Sequence, residues 1–197
     1  HNSYSRVNAS LPMGSREGLT PPASGTYAAL AMAKLCWENL QEDGLHAKIA
    51  CDANLPTEAL NKIVETNILL SGLGFESGGL AAAHAIHNGM TVLAGTHHYL
   101  HGEKVAFATL AQLVLEDAET EEINAVMDFM ASIGLPLTLA DLGVESISFE
   151  EALEVAKIAS IPEESIHSMP FPIVEEEVAN AIIVADRIGQ AYKDAHQ

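Results

Sequence analysis

A chain of 197 residues that is 48% hydrophobic but only 5% aromatic has material for one sizeable core. Its wealth of Ala, Leu, Ile and Val favours helix packed on helix. Nine Lys and Arg against 27 Asp and Glu give a formal charge of −18, which repels nucleic-acid backbones and anionic membrane surfaces and excludes both as partners.

The first 25 residues, HNSYSRVNASLPMGSREGLTPPASG, form a polar lead-in rich in Gly, Pro and Ser, without the apolar region of a signal peptide. From Thr26 to about Glu42 a run of good helix formers is nearly apolar on all sides, which predicts a buried helix with Cys36 in the core. Cys36 and Cys51 make no disulfide framework, and a reducing, cytoplasmic setting fits them. Residues 57–70 predict a second helix with Thr57 as its cap and Leu60, Ile63, Val64 and Ile68 on one stripe. Ser71 to Gly79 reads as a glycine-rich break. A short Ala-rich helix over 79–88 is closed by Asn88-Gly89, and 89–101 is a loop carrying His97, His98 and His101.

Further helices are expected over 103–117 and 121–133, the latter with Ile123, Val126, Met127 and Met130 inward and stopped at Gly134-Leu-Pro136. Ser148-Phe-Glu-Glu151 is a capping box that opens a helix to about Ser160. A proline-punctuated loop over 165–172 precedes a last helix from Val174 to Tyr192. No alternating strand, repeat or low-complexity segment is visible, and no apolar run approaches the ~20 residues that span a bilayer. The expected architecture is all-α, a bundle-like domain of about seven or eight helices over 26–197 behind the lead-in 1–25.

The chemistry concentrates in FESGGLAAAHAIHNGMTVLAGTHHYLHGEKVAF, residues 75–107, which holds five of the nine histidines. His84 and His87 stand three apart and share a helix face. His101 follows His84 by 17 positions, enough for a loop to return it beside the first. Two histidines from a helix and a returning loop can hold a divalent metal, but a catalytic site needs three protein ligands and an open position. The third donor is not evident from spacing, and a surface histidine loop is the plainer alternative. His97 and His98, being adjacent, point in different directions and read as solvent-facing or supporting residues. Glu164-Ser-Ile-His167 matches the E-x-x-H element of di-iron bundles, but it is a single copy in a segment too short for a bundle helix. No P-loop, GxGxxG, GxSxG or HExxH occurs.

FESGGLAAAHAIHNGMT followed by HHYLHGEKVAFATLAQLVLE resembles the glycerol dehydrogenases of the metal-dependent (iron-containing type) alcohol dehydrogenase family. The resemblance continues through Leu30-Ala-Met-Ala-Lys-Leu-Cys36, Ile133-Gly-Leu-Pro-Leu-Thr-Leu139, Ile166-His-Ser-Met-Pro170 and Ile183-Val-Ala-Asp-Arg-Ile-Gly-Gln190. Ser5-Arg-Val-Asn-Ala9 is similar to the segment that enters the helical domain. This implies the C-terminal helical domain of a dehydroquinate synthase-like fold, binding metal and substrate, with the N-terminal NAD-binding domain absent from the chain.

By the same resemblance His84 and His101 are metal ligands, and His87 is a substrate-wall or supporting residue. The third ligand, an aspartate, lies before residue 1. No residue of this chain is expected to bind NAD, and none to be catalytic beyond the metal site. The implied cofactors are zinc, with iron an alternative, and NAD through the other domain. The implied reaction is oxidation of glycerol or a related small polyol to dihydroxyacetone and NADH, in a homo-oligomer. The chain alone is expected to be inactive. The alternative is a non-catalytic helical assembly or binding protein derived from this fold.

Overall fold

The computed structural model describes residues 26–196, which divide after Leu80 into two compact units. Eight α-helices and no strand occur among the described residues, so the all-α expectation holds. The expectation of a lead-in at 1–25 lies outside the described residues.

In the first unit, α1 runs Tyr27–Asp52, ten residues beyond the expected end near Glu42. It is not buried all round. Its fully covered positions are Ala29, Asn39, Gly44, Ala47 and Ala50, whereas Leu35 and Ile49 are exposed and Cys36 is only partly covered. Within the described part of this unit α2, Glu58–Glu65, α3, Ser71–Gly78, and the turn between them pack on α1, and these neighbours cover one stripe of it. The small residues of α1 mark that stripe, because they allow close approach.

Thr57 caps α2 by accepting from the Leu60 N–H at 3.2 Å. Thr57→Ala should cost about 1 kcal/mol of stability, read as a lower urea midpoint at unchanged slope. Between α2 and α3 the chain widens into a single π turn, Thr66–Leu70, where Asn39 Nδ2 donates to the buried Thr66 Oγ1 at 2.9 Å. Of the predicted stripe, Ile63 is buried while Val64 and Ile68 are exposed.

The predicted glycine-rich break is instead α3. Gly74 and Gly78 are buried, and packing outweighs the ~1 kcal/mol that each helical glycine costs. The helix ends where Gly79 takes φ of +69° and donates to the Phe75 carbonyl at 2.8 Å.

The second unit is built around α4, Ala82–Gly89, the Ala-rich helix of the histidine segment. Ala81, Ala82, Ala83, Ala85 and Ile86 are all buried, so neighbouring helices lie close on several sides. Those neighbours are α5, His101–Leu115; α7, Phe149–Ala159; and the short 3-10 turn Ser165–Ser168. The last helix, α8, Glu175–Ala195, packs on α5 and α7. Helix α6, Thr120–Ile133, leans on α5 and buries Val126, Met127 and Met130, while Ile123 is only half-buried. Gly134 at φ of +79° stops it, as expected.

The predicted capping box opens α7. Ser148 Oγ accepts from the Glu151 N–H at 3.2 Å, and Glu151 accepts from the Ser148 N–H at 2.8 Å. The Ser148 N–H, together with the Ser148 hydroxyl donating to the same carboxylate oxygen at 2.9 Å, holds the Glu151 carboxyl below its ordinary value. The segment 136–142 is tied to α8 by charge. Asp186 Oδ1 accepts from the Leu139 N–H at 2.8 Å, and Lys193 pairs with Asp141 at 2.6 Å.

Candidate functional site

Helix α4 has no capping side chain of its own, yet its N-terminus is buried. The donor problem is solved from α5, where Gln112, itself buried, accepts from the Ala83 N–H at 2.9 Å. From the other side Ser165 Oγ donates to the Ala81 carbonyl at 2.7 Å. A helix held at its first turn by two elements has a fixed rotation. That rotation sets the direction of His84 and His87.

From Met90 the chain returns through two 3-10 turns, Met90–Val92 and Ala94–His98. The buried Thr96 hydroxyl bonds the Met90 and Leu93 carbonyls at 3.0 Å each, which closes the loop on itself. Glu103 then reaches back to accept from the Leu100 N–H at 2.7 Å and starts α5 two residues earlier than predicted, at His101. The loop therefore delivers His101 at a defined point, the first residue of a helix.

The three rings meet. His84 and His101 have centroids 5.5 Å apart, tilted by 44°. His87 stands edge-on to His101 with centroids 4.3 Å apart. His84 is half-buried, His87 is buried and His101 is exposed, so the cluster opens to solvent on one side. Burial, with the nearby His101 and His87, lowers the His84 pKa from 6.5 to about 4. Burial also lowers that of His87, against the opposing effect of its bond to Asn88. His84 is therefore neutral at physiological pH.

His97 and His98 do not join the cluster. Both are exposed, and His97 Nε2 donates to the Thr91 carbonyl at 2.8 Å. The E-x-x-H pair does not act together either: His167 Nε2 donates to the Ser160 and Ile161 carbonyls at 3.0 and 3.1 Å. Glu164 turns instead to Asn88, a residue read from the sequence only as a helix stop. Asn88 Nδ2 lies 3.1 and 3.0 Å from the two Glu164 carboxylate oxygens. Nothing local in the sequence signals this pairing across 76 positions.

Comparison with known proteins bears on what such a cluster belongs to. Over 170 residues the chain is 51% identical to a glycerol dehydrogenase of Thermotoga maritima, covering 86% of this chain and 47% of that protein. Over 167 residues it is 50% identical to a glycerol dehydrogenase of Citrobacter freundii, covering 85% and 46%. The crystal structure of glycerol dehydrogenase from Schizosaccharomyces pombe matches with a TM-score of 0.91 at 38% identity, covering 99% of this chain and 49% of that one. This chain belongs to the glycerol dehydrogenase family. It spans about half the length of the curated relatives it matches and corresponds to their C-terminal helical domain. No protein-family model matches the chain. No helix among the described residues is long and apolar enough to cross a membrane.

The glycerol dehydrogenase family implies a metal, and the histidine cluster can be tested for it. Two imidazoles bound to one tetrahedral zinc at the usual nitrogen distance have centroids roughly 5 Å apart. The 5.5 Å between His84 and His101 fits. A ligating imidazole must be neutral, which the depressed pKa of His84 secures. These two residues fit as part of a donor set. No group of three His, Cys, Asp or Glu able to hold a metal occurs among the described residues.

The depressed pKa also makes a prediction for the metal-free protein. Unfolded His84 takes up its proton near pH 6.5, whereas folded His84 resists until about pH 4. The unfolded state thus binds more protons between those values, and stability must fall as pH drops from 6.5 toward 4. His84→Gln should remove that part of the slope. Urea midpoints in EDTA across this window, wild type against variant, measure it.

Proposed function

We propose that this chain is the metal- and substrate-binding helical domain of an NAD-dependent glycerol dehydrogenase, with His84 and His101 as two of the metal's ligands. The observation that carries the reading is that the half-buried His84 and the exposed His101 stand at a spacing one metal can bridge. Residues 81–196 form the domain that presents them, and the third donor is a carboxylate contributed from outside the described residues.

A divalent ion held there would supply Lewis acidity toward a polyol hydroxyl, and a nicotinamide cofactor bound outside this chain would accept the hydride. The chain's own part is orientation and electrostatics. The buried first turn of α4 fixes His84, and the Glu103 bond to Leu100 fixes the start of α5 and hence His101. Burial of the rest of α4, Ala83 and Ile86 included, leaves the cluster its solvent-exposed side at His101. A small polyol entering from that side meets two imidazoles and the edge of a third.

The 197-residue chain holds no glycine-rich pyrophosphate loop, so it should form no NADH from glycerol by itself. With two histidines and no carboxylate it should bind zinc at least about 100-fold more weakly than a three-ligand site, roughly 3 kcal/mol. Calorimetric zinc titration is the test. Weak binding that disappears in His84→Ala supports the assignment. Binding that is unchanged in His84→Ala overturns it, and submicromolar binding lost in that variant would reveal a third donor within the chain.

A further inference from the structure

The bonds around Asn88 have a chemical direction that the distances alone do not state. A carboxylate only accepts hydrogen bonds, so the Asn88 atom that meets both oxygens of Glu164 must be the amide nitrogen. The Asn88 amide oxygen is thereby turned toward His87, where it lies 3.0 Å from Nδ1. An amide oxygen only accepts, so His87 Nδ1 must carry the proton and donate it. In a neutral imidazole one nitrogen is protonated and the other bare. The Nε2 of His87 is then an acceptor.

From this geometry we propose that Glu164 and Asn88 are positioning residues that hold His87 as its Nδ1–H tautomer, so that Nε2 accepts a hydrogen bond from a substrate hydroxyl beside His84 and His101. The tautomer matters because the opposite form would present an N–H at the same place. A polyol hydroxyl facing that N–H would have to accept rather than donate. Its own hydrogen would then have no protein partner, and its oxygen would be less free to turn to a metal. With Nε2 bare, a hydroxyl donates to His87 and keeps its lone pairs for the ion.

The elements around the triad fix it in space. Asn88 sits in the last turn of α4, one residue after His87, and Thr91 Oγ1 donates to the Asn88 carbonyl at 2.6 Å. Glu164 immediately precedes Ser165, whose hydroxyl is anchored to Ala81 at the other end of α4. The segment carrying the carboxylate is therefore tied to the same helix as the histidine it orients. Any motion of the 165–168 turn would carry Glu164 with it. The neighbours of His87 are His101, edge-on to its ring, and Lys104, whose charge also disfavours the imidazolium. The class of ligand selected is a small neutral molecule with a hydroxyl donor next to a metal-binding oxygen, such as a vicinal diol.

The acceptor role rests on the metal-site reading above, whereas the tautomer does not, so the two can fail separately. Nitrogen-15 two-bond correlation spectra of the 197-residue protein at neutral pH read the His87 tautomer directly. The wild type is expected to show a protonated Nδ1 and a bare Nε2. Glu164→Gln lets the Asn88 amide turn over, and should move His87 toward the Nε2–H form. Asn88→Asp loses Glu164 but keeps an acceptor oxygen on Nδ1, so it should retain the wild-type tautomer and thereby separates the lock from a general loss of structure. A wild-type His87 protonated on Nε2, or a Glu164→Gln spectrum identical to wild type, overturns the lock.

In the complete dehydrogenase, Glu164→Gln should raise KM for glycerol about 10-fold with kcat and zinc content nearly unchanged, because the lost bond belongs to bound substrate. An unchanged KM beside a shifted tautomer overturns the acceptor role. Loss of zinc in this variant would do the same, by showing that His87 supports the metal instead.

Discussion

Replacing His84 or His101 by alanine in the complete enzyme should empty the metal site and remove nearly all turnover. Replacing His97 or His98 should leave stoichiometric metal and most of the activity. The difference follows from where the rings stand. His84 and His101 are 5.5 Å apart at a spacing a single ion can bridge, and an ion that loses one of three donors loses affinity and Lewis acidity together. His97 spends its Nε2 on the Thr91 carbonyl, and His98 is exposed on the same turn. Metal content by plasma mass spectrometry, read beside kcat for the four variants, decides the matter. If His98→Ala empties the site and His101→Ala does not, the ligand assignment is wrong.

A second large effect is expected from a single methyl group far from the histidines. Gly189 lies on α8 where the helix passes the segment after α6, and a Cβ there would fall 2.0 Å from the Leu137 carbonyl oxygen. The obstacle is backbone, which cannot swing aside as a side chain does. Leu137 is further pinned by Asp141, whose carboxylate accepts from the Leu137 and Thr138 N–H groups at 3.1 Å each. Gly189→Ala should therefore destabilise the domain by about 3 kcal/mol, at the upper end of overpacking costs, despite alanine's better helix propensity. Gly72→Ala is the internal control, since nothing lies within 4 Å of its Cβ position. That change should be neutral or stabilise slightly. Chemical denaturation of both variants measures the contrast, and a Gly189→Ala midpoint equal to wild type would refute the close-contact argument.

The same helix carries a buried carboxyl side chain, Asp186. One of its oxygens accepts from the Leu139 N–H while the other accepts from Gln190 Nε2 at 2.7 Å. It belongs to the stretch Ile183 to Gln190 that carries the family resemblance, yet its partners are the backbone and a neighbouring side chain. Its role in this domain is to dock α8 onto the 136–142 segment, remote in sequence from the histidine cluster.

Much was legible in the chain itself because it depends on local chemistry. Thr57 and the Ser148 to Glu151 box cap helices through residues three positions away, and Gly134 stops α6 through its own backbone freedom. The pairing of His84 with His101 was also within reach, because a helix face and a short returning loop limit where the second ring can go. The errors lie where neighbours distant in sequence set the outcome. Residues 71–78 look like a break by composition but become helix because the segment packs on α1. The first helix looks buried because it is apolar all round, yet Leu35 and Ile49 are exposed and its buried positions are mostly small residues. Glu164 carries no readable signal toward Asn88, since the two are 76 positions apart and meet only when the 165–168 turn is fastened to Ala81. Local hydrogen bonds and side-chain periods are written in consecutive residues, whereas burial and the direction of a lone pair depend on which surfaces the folded chain brings together.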